Sequence, residues 1–206
     1  MDTPRQKFCM NPAWANNMIL QEEKVRYVGD QVAAVAAIDE DIALEALSLI
    51  QVDYEPLPAV FDPEEAMQPG APKIHLVENN IALHSTRKFG DVDKGFRDAD
   101  FICEGTYYSP PLAHCCLEPR GCVAVYDLSG KLTVWSTTQT PHPLREELSE
   151  VLKIPQNKVS VIQAPMGGAF GARMGMDPID GIAAILSMKT LRPVKVVNTR
   201  EEEFLS

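Results

Sequence analysis

The chain has 206 residues, 45% hydrophobic and 23% charged, a composition that suits a folded globular protein and excludes a disordered or fibrous one. Its formal net charge of −10 argues against a nucleic-acid-binding surface and gives no attraction to an anionic membrane. No apolar run nears the roughly 20 residues that span a bilayer, and the opening MDTPRQKFCMN lacks an apolar signal segment, so a cytoplasmic protein is expected. The five cysteines are odd in number and without C-x-x-C spacing; they read as free, buried thiols, with no set for an iron–sulfur cluster or a zinc ribbon.

Residues 1–23 show no period and read as an irregular arm. VRYVGDQVAAVAAID predicts a short strand, a turn at Gly29-Asp30 and a buried strand over Val32 to Ile38. DEDIALEALSLI then opens with acids and continues at helical spacing. QVDYEPLPAV reads as an edge strand limited by its prolines. Together, residues 24–68 predict a small α/β domain.

Residues 69–100 are rich in turn formers and read as a linker with one short helix; an extended run follows from Phe101 to Tyr108. Residues 101–206 form the second domain. RGCVAVYD and KLTVWSTTQ predict a hairpin turning at Leu128-Ser129-Gly130. TPHPLREELSEVLKIP predicts a helix opened by Thr140 and stopped by Pro155, and KVSVIQA a strand. DPIDGIAAILSMKTLRP predicts a helix capped by Asp177 with Pro178 at its first position. VKVVNTREEEF gives a strand from Val194, read as the last element and an exposed sheet edge. Hairpins mixed with strand–helix alternation indicate an α+β fold with mixed sheets.

Between the KVSVIQA strand and the last long helix lies PMGGAFGAR, one aromatic ring among glycines and alanines. Small residues let another backbone or a ligand approach the main chain, and strand–glycine loop–helix is a grammar of anion sites. GGAFGAR matches neither the P-loop nor the dinucleotide fingerprint. On residues alone, a flexible connector and a ligand loop both stand. His114 and His142 lack the carboxylate spacing of a metal site, so no metal ligands are expected. Arg120, Arg145 and Arg173 are candidates to meet a phosphate or a carboxylate, and only Arg173 has a positional reason.

MGGAFGAR resembles the M-G-G-G-F-G-G-K signature of the molybdenum-binding subunit of the xanthine dehydrogenase and aldehyde oxidase family. HCCLEPRGCVAVYD is similar to that family's H-x-x-L/M-E-P strand entry, and LTVWSTTQT to its W-[ST]-x-T-Q segment. VRYVGDQVAAVAAIDEDIALEALSLIQVDYEPLPAV looks like its small hammerhead domain. The resemblance covers residues 24–206, and its wording is nearest the branch that includes 4-hydroxybenzoyl-CoA reductase.

The resemblance implies a molybdopterin cofactor, with the cytosine dinucleotide as one form it takes, and iron–sulfur clusters and FAD on partner subunits. Gln139 falls on the glutamine that hydrogen-bonds to a molybdenum ligand. Gly167, Gly168, Ala169, Phe170, Gly171 and Arg173 fall on the cofactor loop, with Gln139 and Phe170 at the catalytic centre and Phe170 as a pocket wall. Glu118 reads as a structural acid. Ala169 replaces a loop glycine, and Met174 stands where purine-oxidising members carry a glutamate, which disfavours a purine. The family's general base is a glutamate far beyond position 206. A partner chain is therefore expected to supply that glutamate and the remaining pterin contacts, this chain being one piece of a split large subunit or a truncated product. The substrate is expected to be an aromatic or heteroaromatic compound, an aldehyde, or an aromatic CoA thioester undergoing reduction. A non-catalytic scaffold subunit is the alternative.

Overall fold

A computed structural model describes residues 17–205. The described residues divide into two units, 17–60 with 114–205, and 61–113.

The larger unit is built on a four-stranded mixed sheet in the order β3-β2-β1-β4. β1 (Gly121–Tyr126) and β2 (Leu132–Ser136) form the hairpin, with Val123 opposite Trp135. Asp127 fixes its turn: one carboxylate oxygen accepts from the Ser129 N–H, the Ser129 hydroxyl and the Lys131 N–H, while Gly130 sits at φ 77°. β3 (Val159–Gln163) runs parallel to β2, and β4 (Val194–Val197) antiparallel to β1. The sheet is thus mixed and the fold α+β.

Helix α4 (Pro141–Leu152) joins β2 to β3 and packs on β3; α5 (Pro178–Thr190) joins β3 to β4 and packs on β1. α5 opens on a capping box, in which Asp177 accepts from the Ile179 N–H and Asp180 accepts from the Asp177 N–H at 3.1 Å. α4 starts differently. The Thr140 hydroxyl does not cap it but accepts from the Gly175 N–H at 2.7 Å. Leu132, Val134, Leu144, Leu148, Val151 and Ala183 fill the core. Ile19 is fully buried there, so the described end of the N-terminal arm is anchored. A Cβ on Gly181 would stand 2.6 Å from the Ile19 side chain, so that glycine makes room for the arm.

Several sequence expectations are corrected. Helix α1 (Glu40–Ser48) forms, capped by Asp39, but it buries none of its residues. No ladder forms over residues 25–28, 32–38 or 51–60, and Ile38 is 86% exposed rather than buried. The turn at Gly29-Asp30 does form, closed by the Asp30 N–H on the Tyr27 carbonyl. Alternation tells which face a strand would bury, not that a neighbour exists to pair with it. Nor is β4 the last element: α6 (Arg200–Leu205) follows it. β4 does lie at the sheet edge.

In the smaller unit, α2 (Pro63–Ala66) is capped by Asp62 and α3 (Val92–Asp98) by Asp91. The Asn80 amide ties the loop between them, donating to the Ala66 and Pro72 carbonyls and accepting from the Ile74 N–H. Residues 101–108 belong to no ladder and are exposed.

Candidate functional site

β3 delivers the chain to the glycine loop: the Ala164 N–H still bonds the Ser136 carbonyl at 2.9 Å, and the loop begins at Pro165. Gly168 lies at φ 117° and Gly171 at φ 94°, where side chains are disfavoured. Phe170 between them is also left-handed, at φ 51°. Its ring folds back, and a Cβ on Gly168 would meet it at 3.0 Å. The single aromatic occupies space that its small neighbours leave open. Ala169 is not among the left-handed residues, so the methyl it carries in place of hydrogen brings no backbone strain.

Two other segments hold this loop. From the segment after β2, the Gln139 N–H donates to the Arg173 carbonyl at 3.0 Å, and the Thr138 hydroxyl donates to it at 3.4 Å. The Gln139 carboxamide oxygen accepts from the Gly171 N–H at 3.2 Å. From the segment before β1, Glu118 accepts from the Gly167 N–H at 2.7 Å and from the Arg173 guanidinium at 2.8 Å. Arg173 also donates to the Glu118 carbonyl, and the Cys116 thiol contacts the Ala169 carbonyl at 3.7 Å. Gly167 is fitted to this brace, since a Cβ there would stand 2.7 Å from the Glu118 Cβ. Arg200 of α6 secures the segment in turn by donating to the Cys116 and Leu117 carbonyls.

What the loop leaves unspent defines its chemistry. The N–H groups of Gly168, Ala169 and Phe170 have no acceptor among the described residues, and the Gln139 amide nitrogen donates to none. Phe170 is 77% exposed. Three consecutive backbone donors and a carboxamide nitrogen are therefore left unpaired beside an exposed ring. Such a set receives anionic or oxo oxygen atoms beside an apolar surface.

The acids around the frame differ in state. Burial alone would raise the Glu118 carboxyl, but the Gly167 N–H and the Arg173 guanidinium outweigh it and hold the carboxyl below its ordinary value. Glu147 of α4 accepts from the Met176 N–H, yet burial, with Glu150 and Glu146 nearby, raises its carboxyl. Burial and then the neighbouring Asp177 lift Asp180 to about 7, against the bonds from Ser136, the Asp177 N–H and Cys122.

The structure brings Gln139, Gly167, Gly168, Ala169, Phe170, Gly171 and Arg173 together. Within that group it separates Arg173, whose side chain is 1% exposed and turned onto Glu118, so its charge is spent inside the protein. Arg120 is also committed, to Asp177 and Glu203. His114 has no expected role in the sequence, yet its Nε2 lies 4.0 Å from where a Gly171 Cβ would be, at the rim of the loop. The H-x-x-L-E-P spacing, with Glu118 four residues on, is the signal that could have found it. Among the described residues, no three His, Cys, Asp or Glu side chains group to hold a metal ion.

This geometry coincides with two family descriptions. Residues 74–206 match the molybdopterin cofactor-binding domain, and residues 1–58 match the a/b hammerhead domain of aldehyde oxidase and xanthine dehydrogenase. The chain belongs to the aldehyde oxidase and xanthine dehydrogenase family. It is 40% identical over 188 residues to a probable xanthine dehydrogenase subunit of Bacillus subtilis (strain 168), covering 91% of this chain and 25% of that protein. It is also 40% identical over 183 residues to the nicotinate dehydrogenase large molybdopterin subunit of Eubacterium barkeri, covering 89% and 43%. Among solved structures, the aldehyde oxidoreductase of Desulfovibrio gigas superposes with a TM-score of 0.86 at 26% identity, over 98% of this chain and 23% of that one. The CO dehydrogenase of Oligotropha carboxidovorans gives 0.78 at 34% identity, over 90% and 25%. The chain therefore spans between about a quarter and under half the length of these relatives.

Proposed function

We propose that this chain is a portion of a molybdenum hydroxylase large subunit, contributing the Gln139 and Gly-Phe-Gly part of a molybdopterin site. One observation carries the reading: Gln139 and the loop are bonded into one frame whose remaining donors have no acceptor among the described residues. When bound, the molybdopterin centre supplies the two-electron redox chemistry. The Gln139 amide and the N–H groups of Gly168, Ala169 and Phe170 would hold its polar atoms, and Phe170 would form an apolar wall for the substrate. Gly167 and Gly171 keep the loop low, each N–H being spent on Glu118 or Gln139. Arg173 acts from behind, by fixing the loop on Glu118.

A partner chain supplies the remaining pterin contacts and the catalytic glutamate, and further subunits carry iron–sulfur clusters and FAD. The unequal shares of the relatives support this: similar alignments make up 25% of one and 43% of the other, so molybdenum chains in this family differ greatly in length. The pterin is of the molybdopterin type, the cytosine dinucleotide form included, and the assembly works in the cytoplasm. The substrate is an aromatic or heteroaromatic compound or an aldehyde to be oxidised, or an aromatic CoA thioester to be reduced. The names nicotinate dehydrogenase, nicotine 6-hydroxylase and quinoline 2-oxidoreductase among its relatives support the heteroaromatic choice. We place the small domain at residues 24–68, a linker at 69–100 and the cofactor part at 101–206.

The test is molybdenum and pterin analysis of complexes purified with this chain, combined with Gln139→Ala. Removing one preorganised donor should lower turnover roughly a hundredfold, with the complex still assembled. A complex without molybdenum, or one whose turnover ignores the substitution, would mean a scaffold subunit instead.

A further inference from the structure

Three arginines in the cofactor half of the chain invite an anion, and two are already committed: Arg173 to Glu118, Arg120 to Asp177 and Glu203. Arg145 is not. Its side chain makes no hydrogen bond or ion pair among the described residues, and its Nε is buried without an acceptor. The Nε of Arg120 and of Arg173 is likewise buried without an acceptor, so what sets Arg145 apart is that the rest of its guanidinium is uncommitted as well.

Arg145 lies one turn into α4 and lines a cavity of about 310 Å³ over β2 and β3. Lys131 and His142 line the same cavity, with Thr133 and Ser160 adding hydroxyls. No acid lines it. Asp127, near Lys131, spends one carboxylate oxygen on Ser129 and the Lys131 N–H, and these bonds, helped by the Lys131 charge, hold its carboxyl below the ordinary value. In a chain of net charge −10 this is a cationic island. None of its lining residues belongs to the glycine loop or is Gln139, so it is separate from the site above.

We propose that this cavity binds a small oxyanion, a phosphate or carboxylate group, in a forked contact with Arg145 assisted by Lys131. A planar guanidinium presents a fork of two parallel N–H groups to such a ligand, which a lysine cannot do. The hydroxyls of Thr133 and Ser160 complete the contact.

The test is titration of the full chain with inorganic phosphate and, separately, with acetate, followed calorimetrically and by the Arg145 Nε–H resonance. Saturable binding of either anion that shifts this resonance is expected, and which anion binds tells phosphate from carboxylate. Arg145→Met should weaken binding roughly tenfold or more, and Arg145→Lys should restore only part of it, with circular dichroism unchanged in both. No saturable binding of either anion, or equal binding to the wild type and Arg145→Met, would overturn the proposal.

Discussion

Arg173 carries a full charge into a space where its side chain is 1% exposed, a position tolerated only because Glu118 meets it with both a carboxylate and a carbonyl. The same carboxylate receives the Gly167 N–H, so one acid ties the two ends of the loop. Glu118→Ala should therefore lower stability by roughly 1–3 kcal/mol, the figure reduced because the Glu118 side chain keeps 37% of its exposure. Because the Glu118 carboxyl is held below its ordinary value, its contribution is present at neutral pH and lost as pH falls below about 4. Denaturant unfolding of both proteins at pH 7 and at pH 3 checks this: the difference should shrink in acid. An equal gap at both values would show that the pair is not what braces the loop.

At the scale of elements, α5 owes its start to two acids of different character. Asp177 faces Arg120, while Asp180 is fully enclosed and its carboxyl is raised to about 7. The native state thus keeps a proton that the unfolded chain releases. That contribution is whole below about pH 4 and disappears as pH rises through about 7. Asp180→Asn, which keeps a carbonyl acceptor for the capping box, should flatten the fall in thermal midpoint between those values. An unchanged slope would place the proton elsewhere.

The same elements show what the sequence could disclose. α4, α5 and the hairpin are legible because proline, Asp177 and Gly130 punctuate strong periodic runs. The strands expected over residues 25–60 are not, because pairing is a property of neighbours rather than of a run. The site shows the same division. Gln139 and the loop can be matched to a motif, but the Glu118 bonds to Gly167 and Arg173 span 49 and 55 residues, and no local pattern announces a contact of that range. Arg173 reads as a ligand because its charge is visible in the text and its partner is not.

The molecule as a whole shows more apolar surface than a closed domain needs. α1 buries nothing, Ile42 and Leu47 on it are each more than 40% exposed, and the sheet leaves β3 and β4 as edges. Surfaces of this kind are usual where further protein covers them. This accords with a chain that spans a quarter of the length of several relatives. A core of buried apolar residues lies in the same unit, and the loop's surroundings are tied by Thr140 at the start of α4 and by Arg200 of α6. The most direct measurement is an anomalous-scattering map at the molybdenum edge, from crystals of the complex that contains this chain. One strong peak is expected beside the Gln139 carboxamide and the Gly168–Phe170 N–H groups. A peak remote from both, in a complex that holds molybdenum, would contradict the proposed site.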